Sequence, residues 1–229
     1  MPFVIIRPSV VVGDSRDGRY SGKRYGVYQL WYAAERLMGV QYPPVIYAVA
    51  PPKSRLHVLH QDAFQAGFLA CYRHVPAGRF VHLVSREETL PTLRDVFHLW
   101  LGRCAPECVV RYYNALEEVP IDELDRQQQL WLQFTGANLQ IASHPWSFET
   151  RTMDDFASCG LEIAHATLQT LAVCQEHFIS ASPRLQELAR DSRADGERAQ
   201  IQRFRRRRAE TSSGDGAMEV LAEERVGGP

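Results

Sequence analysis

The first residues whose types and spacing could do chemistry are His57 and His60, a His-x-x-His pair of the kind that shares a metal ion. They fall in an extended run, Arg55 to His60, where side chains alternate faces. Positions three apart then project to opposite sides, which disfavours a shared ion. Cys104 and Cys108 are a second candidate pair, but no matching pair stands at the spacing of a structural zinc site. Serine chemistry of the hydrolase kind needs a Gly-x-Ser-x-Gly elbow, and the chain has none. Asp154 and Asp155 read as the acidic first turn of a helix, complementing its dipole, rather than as an acid–base pair. The residue inventory therefore assigns no catalytic residue and no metal site.

What remains is to ask which elements the chain builds and what they could position. Its 229 residues are 45% apolar and 23% charged with a formal net charge of −1, the profile of a globular protein with a sizeable core. That balance gives no global attraction to nucleic acid or an anionic membrane. No stretch approaches the roughly 18 apolar residues of a membrane span. Met1-Pro2-Phe3 lacks the charged start of a secretory signal, so the expected location is cytoplasmic, with the five cysteines reduced. Cys71 and Cys174 fall on apolar helix faces and read as core.

Phe3 to Val12 is an apolar, β-branched run interrupted by Arg7-Pro8-Ser9 and closed by Gly13-Asp14. It reads as a strand buried on both faces inside a parallel sheet. A Gly-rich loop leads to a helix from Val27 to Met38, stopped at Gly39. The aromatic stripe Tyr25, Tyr28, Trp31, Tyr32 reads as core, with an apolar ligand pocket as the functional alternative. Pro43-Pro44 restarts the chain in an extended segment, Val45 to Ala50. A helix follows His60, with Asp62 and Gln65 at capping-box spacing and Phe64, Phe68, Cys71 and Val75 as its buried stripe. Arg79 to Ser85 is a strand. Thr92 and Asp95 open the next helix, whose stripe is Leu93, Val96, Phe97, Trp100 and Leu101, ending at Gly102. Val109 to Tyr113 is a strand, Asp122 to Phe134 a helix, and Ala142 to Arg151 an ordered connection. A short helix from Met153 to Ser158 stops at Gly160, and a longer one runs from Leu161 to Phe178. Residues 184–229 form a charged, mostly disordered tail holding the basic cluster Arg203 to Arg208, because the segment has too few large apolar residues to offset ordering.

The order of these elements resembles a known family. Arg7-Pro8-Ser9, Val11, Gly13, Asp14, Ser15 and Gly18 are similar to the strand and loop that follow the catalytic Tyr-x-x-x-Lys in extended short-chain dehydrogenases/reductases. The branch they most resemble is that of thioester reductases and fatty acyl-CoA reductases of the male-sterility type. Leu56 to Phe64, Arg79 to Val84, Pro91 to Phe97, and Phe148-Glu149-Thr150 with Gly160 resemble later elements of the same family, over Phe3 to Phe178 in all. The resemblance implies an α/β chain: an incomplete Rossmann-type C-terminal portion (residues 1–183) with a mainly helical, substrate-side domain. It implies NADP(H) as cofactor, with Pro8, Ser9, Val10 and Val11 beside the nicotinamide, and an acyl thioester substrate facing Tyr25, Tyr28 and Trp31.

The glycine-rich fingerprint and the Tyr-x-x-x-Lys of that family are absent here; Tyr20 is followed at the fourth position by Arg24, and Lys23 is one residue short. A tyrosine near its free value of about 10, with no lysine one turn away, is a poor acid–base group. The expectation is a chain that alone neither binds the dinucleotide tightly nor turns over, and that associates with a partner carrying the missing Rossmann half. The alternative is a non-catalytic interaction protein derived from such a reductase. Neither nucleic acid nor a membrane span is expected.

Overall fold

The computed structural model describes residues 3–38, 45–161 and 163–194. The anticipated stop at Gly39, the Pro43-Pro44 restart, and the tail from 195 onward with Arg203 to Arg208 lie outside the described residues.

The N-terminal run is one extended ribbon made of two short strands, β1 (Ile5–Pro8) and β2 (Val10–Val12), that change partners at Ser9. β1 pairs in parallel with β5 (Phe80–Leu83), Ile5 opposite Phe80 and Pro8 opposite Leu83. β2 pairs in parallel with β4 (Val58–His60), Val10 opposite Val58 and Val12 opposite His60. The Ser9 amide donates to the Leu83 carbonyl at 3.0 Å and the Val10 amide to the His57 carbonyl at 3.3 Å. Consecutive residues of an extended chain aim their amides at opposite edges. β5 and β4 therefore flank opposite edges of the ribbon. Pro8, which has no N–H, faces the edge of β1 that carries no strand among the described residues, where a proline costs no ladder bond.

The expectation of a strand buried on both faces is corrected here. Arg7, Pro8 and Val10 are exposed, Ile5 and Ile6 half-buried, and only Val12 is fully buried. One partner strand along each half and a single layer of helix beneath leave the other face open.

That layer is α2 (Gln61–His74), which follows β4 without a loop. Its buried residues are Ala63, Gly67, Ala70 and Cys71; of the expected stripe Cys71 is buried, Phe64 and Val75 are partly buried against the same cluster, and Phe68 is 47% exposed. Small residues let the helix axis approach β1 and β5, and an apolar cluster of Val81, Leu83, Met153, Phe156 and Ile163 closes around them. The capping box expected of Asp62 does not form. The N-cap is His60, with no side-chain cap, and the Asp62 carboxylate is used elsewhere.

A separate parallel pair, β3 (Val45–Val49) with β6 (Val109–Tyr113), builds the second half of the molecule. α4 (Arg126–Ser143) lies across it, the Trp131 indole donating to the Tyr47 carbonyl at 2.7 Å. The helix starts four residues later than expected, because Asp125 and Gln128 form the capping box while Asp122 sits in a 3₁₀ turn, and it runs on to Ser143. α1 (Val27–Met38) and α3 (Leu93–Cys104) have the expected faces, with Trp31 stacked on Trp100 at 6.1 Å. The Thr92–Asp95 capping box is present; Gly102 does not end α3, which continues one half-turn to Cys104. α5 (Arg151–Ser158) ends at Gly160 as expected. α6 starts only at Leu168, capped by Thr167, and runs to Ser180. Residues 183–194 are helical as well, and Leu185 and Ala189 are buried in the core, so the charged segment from 184 begins on ordered ground. The fold is thus mixed α/β, helix-rich, with short parallel strand pairs. Among the described residues no helix is long and apolar enough to cross a membrane.

Candidate functional site

Two features meet at the C-terminal end of the ribbon: a buried polar hub and an apolar cavity. The hub holds the turn after β2. The Gly13 amide donates to the Tyr28 hydroxyl at 2.9 Å, and the Gly13 carbonyl lies 2.7 Å from His60 Nδ1. A carbonyl can only accept, so Nδ1 carries the proton, and Nε2 is free to accept from the Thr170 hydroxyl at 2.8 Å. Asp62 accepts from the Ser15 amide at 3.0 Å and the Ser15 hydroxyl at 2.6 Å. Asp14 accepts three bonds from Arg16, which hold its carboxyl down to about 2. Gly18, at φ +73°, completes the turn directly against α6. A Cβ there would lie 2.8 Å from His177 Cβ and 2.9 Å from the Cys174 Cα, so only glycine fits.

Cys174 brings a thiol within 3.8 Å of His60 Nδ1, the elements of a cysteine–histidine dyad. The geometry argues against that chemistry. Both side chains are fully buried, Nδ1 is already bonded to a carbonyl, and burial pushes the thiol up to about 11. Burial likewise drives the Tyr28 phenol far above its ordinary value, so it stays neutral. The hub positions a turn. With both ring nitrogens of His60 occupied, the His57/His60 metal pair is closed, and no cluster of three potential ligands exists among the described residues.

The cavity, about 260 Å³, lies on the ribbon's open face. Pro8, Ser9 and Val10 form its floor, Val27 and Leu30 of α1 one wall, and Ile141 and Ala142 of α4 another. A strap, residues 144–150 between α4 and α5, closes the fourth side with Trp146 and Phe148. The strap is tied down by the Trp146 indole donating to the Ile141 carbonyl at 2.8 Å and by Phe148 seated edge-on between His57 and His82, at 5.1 and 5.6 Å. Among the described residues the Ser9 hydroxyl is shielded from solvent with no hydrogen-bond partner. The His57 ring, half-buried and edge-on to Phe148, makes no hydrogen bond to any described residue, its nitrogens being open to solvent. Burial lowers the His57 pKa, opposed by nearby Glu87. Larger hollows exist, about 890 Å³ beside α5 and about 590 Å³ between α1 and α4, but neither contains a buried polar atom without a partner. Apolar walls with a few unmet polar groups are what a small-molecule site needs.

The structure divides the residues picked from the sequence. Pro8, Ser9 and Val10 come together on the cavity floor; Val11 is paired in β2 and does not line it. Tyr25, Tyr28 and Trp31 do not line it. Tyr25 is 50% exposed, while Tyr28 and Trp31 turn into the core against Tyr20, Trp100 and Phe178. Tyr28 and Trp31 thus take the core reading of the aromatic stripe, and Val27 and Leu30 of the same helix line the cavity. His57, Trp146 and Phe148 were missed as wall residues, although the aromatic crowding of Pro145 to Phe148 had marked an ordered segment.

No protein-family model matches the chain, and no curated protein matches it. Among solved structures, the fold is similar to the crystal structure of the terminal R domain from the myxalamid PKS-NRPS biosynthetic pathway. The TM-score is 0.54 at 14% identity, over 79% of this chain and 44% of that one. At that identity the likeness shows a shared fold alone. The chain spans less than half the length of that domain.

A nicotinamide cofactor can be tested against the residues present. Pro8 and Val10 are exposed and suit a flat ring, and Ser9 between them is half-buried with its unpartnered hydroxyl shielded from solvent. The pyrophosphate end finds no counterpart. The strand-to-helix junction at His60–Gln61 has no glycine and no turn to free the helix amides for a phosphate. The described residues fit the ring and not the phosphates.

Proposed function

We propose that this chain is the substrate-side portion of an NAD(P)H-dependent short-chain-type reductase, with the cavity beside the ribbon holding the acyl part of a thioester. One observation carries the reading. The Arg-Pro-Ser motif that resembles the nicotinamide-side strand of thioester reductases supplies the floor of the apolar cavity, so the two functions the resemblance pairs meet at Ser9 and Val10. The shared fold with a terminal R domain supports it. The chain's own residues bind and orient. Val27, Leu30 and Ile141 shelter the apolar chain, and Ser9 offers a donor to a carbonyl or carboxamide. A bound nicotinamide cofactor would supply the hydride; the groups that hold its phosphates and the proton donor would come from a Rossmann half outside these residues.

The test is a titration of the full chain with S-hexanoyl-N-acetylcysteamine, following the half-exposed Trp146. Saturable binding that disappears in the cavity-filling Ala142→Trp is expected, and a flat titration would sink the reading. NADPH alone should not bind in the micromolar range. A second reading, a non-catalytic interaction protein, is favoured by the exposed Phe68, Leu69 and Tyr72 on α2. It would take over if the thioester fails to bind while Tyr72→Asp abolishes a specific partner complex.

A further inference from the structure

A second chamber adjoins the cavity. It measures about 470 Å³ and shares His57, Trp146 and Phe148 with the apolar cavity, so these three residues stand between them. The two chambers differ in chemistry. The inner one is walled by Val10, Leu30 and Ile141, whereas the outer one presents Arg86, Glu87, Glu88 and Asp154. The lone guanidinium is partly engaged with Asp154 at 3.7 Å, which leaves the carboxylates in excess. His57 is half-buried at the boundary. Its ring is fixed edge-on against Phe148 and makes no hydrogen bond with any described residue. A fixed imidazole with unused ring nitrogens, one face toward an apolar chamber and the other toward a polar one, is placed to meet a polar atom in mid-ligand.

We propose that His57 is a specificity-determining residue that donates a hydrogen bond to the thioester carbonyl of a neutral, amide-bearing ligand. The ligand's apolar chain fills the inner cavity, its polar arm lies in the outer chamber, and the carboxylates there turn anionic ligands away. This rests on the reading of the cavity as a ligand site and adds which end of the ligand lies where and what charge it carries. Glu87 and Glu88 come from the 3₁₀ turn after β5, Asp154 from α5, and Arg86 precedes that turn. His82 lies across Phe148 on the other side of the strap.

Calorimetry of the full chain separates the possibilities with three probes: S-hexanoyl-N-acetylcysteamine, its thioether S-hexyl-N-acetylcysteamine, which lacks the thioester carbonyl and keeps the amide, and hexanoate. The wild type should prefer the thioester over the thioether by about tenfold, the size of one net hydrogen bond. His57→Phe keeps the ring volume and should erase that preference while the thioether still binds, and His57→Gln should restore part of it. Hexanoate should bind only after Glu87→Gln with Glu88→Gln. An unchanged thioester preference in both His57 variants overturns the proposal and leaves the cavity reading standing. Failure of thioester and thioether alike to bind the wild type overturns both. Wild-type binding of hexanoate as tight as the thioester removes the charge argument. Should His57→Phe prove unfolded by its melting curve, the wild-type thioester-to-thioether ratio and the His57→Gln variant still decide, since a ratio near one refutes a carbonyl contact.

Discussion

Ser9 shows how a single side chain can tell a site from a scaffold. Its amide is committed to Leu83, so its hydroxyl is held where no protein group answers it. A buried hydroxyl without a partner costs stability, about 1 kcal/mol or more. Ser9→Ala should therefore leave the melting temperature unchanged or raise it, while weakening S-hexanoyl-N-acetylcysteamine. A loss of stability instead would mean the hydroxyl has a structural partner after all. Asp14 has the opposite character, a carboxylate over-supplied with donors. Because its folded pKa, about 2, lies below the free value near 3.9, its contribution is present above about pH 4 and drains away as the pH falls toward 2. Thermal melts across that window should steepen in the wild type and flatten in Asp14→Asn. The residual slope comes from Asp95, whose pKa is lowered by its hydrogen bonds to Thr92. Since Arg16 is largely exposed, high salt should shrink the Asp14 component.

α2 shows what the sequence could and could not reveal about an element. Its existence and length were legible from the strand-to-helix change at His60, and Phe64, Cys71 and Val75 of the expected stripe do meet the core. Phe68 does not; Ala63, Gly67 and Ala70 complete the buried face unforeseen, because large apolar residues draw the eye and small ones do not. Gly67 holds the true register: a Cβ there would lie 3.1 Å from Leu83 Cδ2 and 3.2 Å from Ile163 Cδ1. Gly67→Val should cost about 2 kcal/mol or more in urea denaturation, through overpacking that its better propensity cannot offset. A neutral result would put the Phe68 face back in the core. Where local chemistry suffices, as in the Thr92–Asp95 box, sequence and structure agree to the residue. α4 and α6 were misjudged at their starts because their caps, Asp125 and Thr167, compete with equally plausible polar neighbours that tertiary contacts decide against. The Arg-Pro-Ser motif singled out Pro8–Val10 as a nicotinamide-side surface, and the structure places these residues on the floor of a cavity. Its walls were not legible, since they depend on which side of α1 faces α4 and on a strap with no periodicity to read.

At the scale of the whole molecule, burial is uneven. Four cysteines are buried and Cys159 is exposed, with Cys104 raised to about 12 and Cys108 and Cys174 to about 11. At pH 8 a thiol reagent should label one site rapidly in the native protein and all five after unfolding; two or more rapid sites would show that a core has opened. The open edge of β1 is the counterpart of that tight core. A strand edge unpaired among the described residues, with Ile5 and Ile6 along it, invites another strand. Light scattering should detect association at high concentration that Ile6→Lys reduces, and a strictly monomeric, dye-negative wild type would contradict this. The Gly18 turn, finally, bears on how the chain assembles. It rests on α6, and the contact from Asp14 to Cys174 spans 160 residues. Closing so long a loop is slow, and no local interaction can substitute for it. The ribbon is therefore synthesised well before the helix that sets its turn, so the turn is among the last parts of the protein to become native. A ribosome-bound chain ending before Leu168 should carry an intact ribbon sequence with no formed site.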